Sequence, residues 1–257
     1  MKTLIQAQIR ELELEHNIRI LLAIESGSRA WGFPSPDSDY DVRFIYAHPL
    51  DWYLSIQDKK DSLEFPINDD LDIGGWDIKK ALLLLKKSNA PLLEWVQSPI
   101  VYKAEVGFVE AFQILCDGFY SPKAVMHHYL SMAKKYKMLI EESGDKVRLK
   151  TYFYALRAAL AGNWILRHDI MPPIEFSKLL PLVQDNAIRN QVQELISLKS
   201  VQTEAFVFQR NAQMEQLMDD LISESDTEFL DLKVSKGNLS GLDAFFRKTV
   251  KQEQLMQ

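Results

Sequence analysis

The 257-residue chain has little cysteine: Cys116 is the one residue of its type, which excludes an internal disulfide framework and a multi-cysteine zinc site. Long apolar runs are also missing. The densest, Ile18–Ile24 and Ala81–Leu85, fall far short of the roughly 20 residues a membrane span needs. Met1 to Asn17 carries no apolar core of the signal-peptide type, so a soluble cytoplasmic protein is expected. Nor is there an excess of positive charge. Thirty Lys+Arg against 36 Asp+Glu give a net charge of −6, which argues against coating nucleic acid through net charge alone and leaves room for a local basic groove. What the chain does have is 47% hydrophobic residues, enough to offset chain entropy and exclude dominant disorder. A chain of this length buries roughly 70–75% of its unfolded surface and can form two domains.

The first hundred residues mix helix and strand signals. Leu4, Ile5, Ile9 and Leu12 lie on one helical stripe, so a helix is expected over 2–16, stopping at Asn17. Arg19–Glu25 is short and rich in Ile and Leu, as a buried strand is. Ser26-Gly27-Ser28 breaks it, and residues 29–38 read as a loop. Tyr40, Val42, Phe44 and Tyr46 alternate with other residues, a strand with one apolar face. Residues 47–70 are less regular. Leu71-Asp72-Ile73 reads as a strand stopped by Gly74-Gly75, after which Asp77 can cap a helix running to about Lys87. Beyond Tyr102 strand signals cease. Helices are expected near 122–143, 147–167, 175–184, 186–199 and 203–224, with a last one from about Ser240. The expected fold is α+β, a mixed-sheet domain over 1–105 followed by an all-helical domain over 106–257.

The segment that carries chemistry is Gly27-Ser28, ten residues, then Asp39-Tyr40-Asp41-Val42. Asp39 and Asp41 are two apart on a strand and share a face. Two ionised carboxylates so close call for a cation between them, and hard oxygen ligands suit Mg²⁺, which binds one or two carboxylates plus substrate phosphates. Glycine lets backbone N–H groups approach a phosphate, and the serine hydroxyl adds a donor. Asp72, between Leu71 and Ile73, is the candidate third acid. Asp77 competes for that role, but its place before Ile78-Lys79-Lys80 favours a cap.

Glu25-Ser26-Gly27-Ser28-Arg29-Ala30-Trp31-Gly32 and Pro36-Asp37-Ser38-Asp39-Tyr40-Asp41-Val42 resemble the signature of the DNA polymerase β-type nucleotidyltransferase superfamily. The likeness is closest to a bacterial and phage branch associated with RNA repair, and it extends from about residue 20 to 180. It implies a nucleotidyltransferase-type sheet domain and a helical domain closing a nucleotide cleft. It also implies transfer of a nucleoside monophosphate from an NTP to an acceptor hydroxyl, an RNA end favoured. Gly27 and Ser28 would hold phosphates, and Asp39, Asp41 and Asp72 would be the catalytic and metal-binding acids for two Mg²⁺ ions, with Mn²⁺ as substitute. Nucleotidylation of a protein or small molecule, and a catalytically silent or antitoxin-like binding module, are the alternatives.

Several residues have two readings each. Arg29 can touch a phosphate or sit in a surface salt bridge. Trp31 and Phe33 can stack on a base or pack under the loop. Lys150, Tyr154 and Arg157 share one helix face, which could close over the nucleotide or simply be solvated. Lys134-Lys135-Lys137 and Lys146-Arg148-Lys150 could form a basic strip for RNA or a solvated surface. The expected partners are thus an NTP and an RNA acceptor, with no membrane.

Overall fold

The computed structural model describes residues 1–66, 70–234 and 237–251. In chain order the elements are α1 (Lys2–His16), β1 (Arg19–Glu25), α2 (Gly27–Trp31), β2 (Tyr40–Ala47), α3 (Leu50–Tyr53), β3 (Ser62–Glu64), β4 (Leu71–Asp77), α4 (Ile78–Leu85), α5 (Ala90–Val96), β5 (Val101–Ala104), α6 (Phe108–Phe119) and α7 (Pro122–Glu141). They continue with β6 (Lys146–Arg148), α8 (Leu149–His168), α9 (Phe176–Leu179), α10 (Asn186–Lys199), β7 (Val207–Gln209), α11 (Ala212–Glu228) and α12 (Leu239–Lys251). The fold is α+β. Of the irregular stretch expected over 47–70, residues 67–69 lie outside those described.

The chain divides into two compact units. The first takes Met1–Gly27, Asp39–Tyr120 and the C-terminal helix α12; the second takes Ser28–Ser38 and the chain from Ser121 to 234. These units run across a single boundary at 105/106. α6 stays with the sheet because Phe108 and Phe112 pack against Phe245 of α12, and α12 also accepts a hydrogen bond at the Thr249 carbonyl from Arg19 of β1.

In the sheet unit the strand order is β3-β4-β2-β1-β5. β2 and β4 run parallel and the other pairs antiparallel. Ile5, Ile9 and Leu12 of α1 join Ile20, Ala23, Val42, Phe44 and Tyr46 in one core, so the alternation along β2 puts its even-numbered apolar residues onto α1. Asn17 ends α1 in the left-handed conformation, returning its N–H to Glu13.

β4 does not stop at Gly74-Gly75 as expected; it continues to Asp77. A Cβ on Gly75 would lie 2.2 Å from the Phe44 ring, so the glycine makes room for an aromatic on the neighbouring strand rather than ending its own. Asp77 then caps α4, accepting the Lys79 N–H at 2.8 Å and the Tyr53 hydroxyl at 2.6 Å.

Burial drives the Asp77 carboxyl up to about 6, against the opposing hydrogen bonds from Tyr53 and Lys79. The folded chain therefore holds this proton to a higher pH than the unfolded chain does. The protonated carboxyl contributes its full stability below about pH 4, and that contribution is lost as pH rises to about 6. At ~1.4 kcal/mol per pKa unit the loss is roughly 3 kcal/mol for this group. Urea melts across this window should show the decline in the wild type and a flatter curve in Asp77→Asn, which keeps the cap acceptor without the titration. Parallel curves would mean that Asp77 does not control this window.

In the second unit α7, α8 and α11 pack together. A Cβ on Gly162 of α8 would sit 3.2 Å from Ser225 Oγ and 3.3 Å from Met126 Sδ, which marks how closely the helices approach. The unit is helical but not all-helical, since β6 and β7 form a two-stranded antiparallel ladder. The helix expected over 203–224 begins only at Ala212, because the preceding residues pair with β6. Residues 28–38 belong here through their aromatics: Phe33 stacks on Phe153 at 5.0 Å and meets Phe176 edge-on at 5.4 Å. Burying Phe33 alone is worth about 1.5–3 kcal/mol.

Candidate functional site

Asp41 and Asp72 are register partners on the parallel strands β2 and β4. Arg43, two residues beyond Asp41, lies between their carboxylates. It makes a bidentate pair with Asp72 (3.1 and 2.7 Å) and sits 3.7 Å from Asp41. The side chains of all three keep 24–30% of their surface in solvent. Asp39 is exposed and immediately precedes β2. Asp77 lies five residues along β4, opposite Tyr46, and is committed to its cap.

The start of the segment is built around Asp41. Gly27 has φ +60°, and a Cβ placed on it would lie 2.0 Å from Asp41 Oδ2. The carboxylate thus rests against the bare Cα of the turn after β1. Behind it Glu25, wholly buried, accepts the Asp41 N–H at 2.8 Å and the Tyr102 hydroxyl. Ser98 Oγ donates to the Glu25 carbonyl at 2.6 Å, and Ser26 N–H donates to the Asp41 carbonyl at 2.8 Å. Asp41 is therefore fixed through backbone and carboxylate alike.

Donor chemistry here suits a hard divalent cation at Asp39 and Asp41, which Mg²⁺ can use with waters and substrate phosphates completing its shell. Among the described residues no three His, Cys, Asp or Glu side chains gather into a metal-binding group, and Asp72 is held by Arg43. Arg43 and Glu25 were not singled out from sequence. Arg43 carried a usable signal, since its i+2 spacing from Asp41 on an alternating strand puts both on one face.

In the second unit, Ser28 is buried and its carbonyl accepts from Gly32 and Phe33 N–H groups. The expected loop thus begins as the short helix α2. Arg29 donates to the Ser38 carbonyl at 2.6 Å. Lys150 pairs with Glu204 at 2.5 Å and lies over the Tyr154 ring, which in turn meets Trp31 edge-on at 5.0 Å.

Arg157 corrects the expectation that it reaches a phosphate. It is 1% exposed, its guanidinium lies 4.3 Å from the Trp31 ring centroid, and it donates to the Ile174 carbonyl. Trp31 and Phe33 likewise pack within the unit. Arg157→Ala should therefore lower stability by about 2–4 kcal/mol, through lost packing and cation–π contact, rather than nucleotide affinity. Calorimetric affinity beside a thermal melt checks this; a weakened affinity with an unchanged melt would restore the phosphate role.

Three of the six cations of the expected basic strip are ion-paired, Lys150 with Glu204 among them. Lys134 meets Asp226, and Lys137 meets both Asp219 and Glu141. No helix among the described residues is long and apolar enough to cross a membrane.

A turn with a bare glycine after β1 and paired acids on the two parallel strands fit the polymerase β class of nucleotidyltransferase. Residues 1–248 match the family RlaP, the RNA repair pathway DNA polymerase beta family, and the chain belongs to it. By family the protein is a polymerase β-type nucleotidyltransferase. It is 43% identical over 200 residues to the uncharacterized protein YcgL of Bacillus subtilis (strain 168), covering 77% of this chain and 76% of that one. A solved nucleotidyltransferase-like protein from Exiguobacterium sibiricum 255-15 aligns over 88% of this chain and 75% of its own, at 11% identity and a TM-score of 0.33.

Proposed function

We propose that this protein moves a nucleoside monophosphate from an NTP to an acceptor hydroxyl, with an RNA end as the favoured acceptor. The observation that carries the reading is the register pairing of Asp41 with Asp72 beside a turn whose glycine leaves room for the Asp41 carboxylate. The acceptor oxygen forms a bond to the α-phosphorus as the bond to the bridging oxygen of the β-phosphate breaks, and pyrophosphate leaves. Asp39 and Asp41 would hold Mg²⁺, and the ion would supply electrostatic stabilisation of the charge that develops in the transfer. Asp72 accepts the proton of the acceptor hydroxyl, and Arg43 fixes the orientation of its carboxylate. Gly27, Ser28, Arg29 and Lys150 serve the phosphates. The choice of RNA rests on the family's description as an RNA repair pathway family.

The test is incubation with α-phosphate-labelled NTPs, Mg²⁺ and a panel of RNA, protein and aminoglycoside acceptors. Label should appear on RNA ends. Label on a protein or antibiotic would replace the acceptor, and no label on any acceptor would sink the reading.

A further inference from the structure

The turn between α10 and β7 places Glu204 among donors in the second unit. Its carboxylate accepts from Lys150 Nζ at 2.5 Å and from Ser38 Oγ at 2.9 Å. Ser38 Oγ also receives the Ser35 N–H at 2.9 Å, and Ser35 Oγ accepts from Lys199 Nζ at 2.8 Å. Ser35, Ser38 and Lys199 are all at most 3% exposed, so these groups form a built, fixed surface. Asp37 holds the turn in place by accepting the Glu204 N–H at 2.9 Å.

The charges in this cluster are unevenly committed. The Lys199 ammonium has a hydroxyl as its direct partner, and no carboxylate lies within ion-pair distance of it among the described residues. Burial pushes its pKa down, while Glu204 is the foremost group pulling it back up. Glu204 thus holds one ammonium and one hydroxyl directly with a single carboxylate. Its own side chain is a quarter exposed and that of Lys150 40% exposed, so water reaches the pair and the carboxylate can leave. Ser38 is also the residue whose carbonyl anchors Arg29, in the same short segment as Ser28.

We infer that Lys150, Ser38 and Lys199 form an anion site for phosphate oxygens of the nucleotide, and that Glu204 is a built-in competitor occupying it when no nucleotide is bound. The inference rests on the NTP reading for the identity of the anion. Two lysines, one of them buried, and a serine hydroxyl are the donors a polyphosphate needs. A carboxylate holding such a site about nine-tenths of the time lowers apparent affinity about tenfold, because binding draws only on the open fraction.

Calorimetric titration of the full chain with inorganic triphosphate, and separately with ATP, tests this without divalent metal. Glu204→Gln keeps the size and a hydrogen-bond acceptor for Ser38 but removes the charge. It should bind triphosphate about tenfold more tightly than the wild type, and adding Lys150→Ala should erase that gain. Glu204→Asp, shorter by one methylene, should tighten binding in the same direction and serves if the glutamine variant folds poorly. Unchanged or weaker affinity beside a lowered melting temperature would make Glu204 a structural brace and overturn the inference. The labelled-transfer assay separates the two claims. Transfer with no Glu204 effect on affinity sinks the competitor alone. Tighter triphosphate binding in Glu204→Gln with no transfer keeps the anion site and sinks the transferase reading.

Discussion

Asp41→Asn should leave the protein folded and cut nucleotidyl transfer by at least about a thousandfold. The expectation rests on what the asparagine keeps and loses. The Glu25 bond to the Asp41 N–H and the Ser26 bond to its carbonyl involve only backbone of residue 41, so both persist. The side chain keeps its shape against Gly27. What goes is one negative charge at the centre of the site. An amide oxygen is a far weaker ligand for a hard divalent cation, and Arg43 is left with Asp72 as its one carboxylate partner here. Several kcal/mol of transition-state stabilisation depends on such a ligand, and each ~1.4 kcal/mol is a factor of ten. Single-turnover transfer of labelled NMP, compared with a urea melt of the same variant, checks it. Near-normal transfer in Mg²⁺ would remove Asp41 from the metal site; lost transfer with a collapsed melt would show a folding defect instead.

Much of the frame behind that prediction can be read without coordinates, and the reason is periodicity. Ile5, Ile9 and Leu12 face the core because a helix of 3.6 residues per turn leaves them no other common face, although Leu4 of the same stripe is exposed. β2 follows from period-two alternation, and the Asp77 cap follows from local chemistry alone. The unreadable parts depend on distant partners. Gly74-Gly75 looks like a strand stop until Phe44, some thirty positions earlier, lies over the gap. Arg157 looks like a solvated charge on a helix until Trp31 arrives beneath its guanidinium. β5, β6 and β7 are three or four residues long, too short to show a period. Residues 28–38 look like a loop of the sheet domain because they join two of its strands. Their aromatics instead find partners on α8 and α9. The same logic applies to the site. Asp39, Asp41 and Asp72 stand out by local pattern, whereas Glu25 is one more residue at a strand end until Tyr102 and the Asp41 N–H converge on it.

Gly27→Ala carries the second large expected effect, and it acts on Asp41 from the other side. The new methyl carbon would stand 2.0 Å from Asp41 Oδ2 and 2.9 Å from its Cγ, inside any real contact distance. The backbone cannot relieve this cheaply, since φ at residue 27 is +60°, where an L residue is strained by roughly 1 kcal/mol before any contact is counted. Asp41 cannot retreat as a whole either. Its N–H is held by the buried Glu25 and its carbonyl by Ser26, so the carboxylate must rotate or the turn must shift. Either movement is on the order of an ångström, and misplacement of that size costs about a hundredfold in rate. Stability should fall by about 1–3 kcal/mol, the range for an overpacked site. The distinguishing feature is the direction of rescue. Asp41→Asn in the Gly27→Ala background should recover none of the lost activity, because the amide fills the same space as the carboxylate and the charge is then missing as well, and Gly27→Ala alone should also weaken NTP binding without Mg²⁺, since the turn serves the phosphates. Transfer rate, metal-free NTP affinity and a melt together settle it. Full activity in Gly27→Ala would mean that the Asp41 carboxylate does not need its place against the turn.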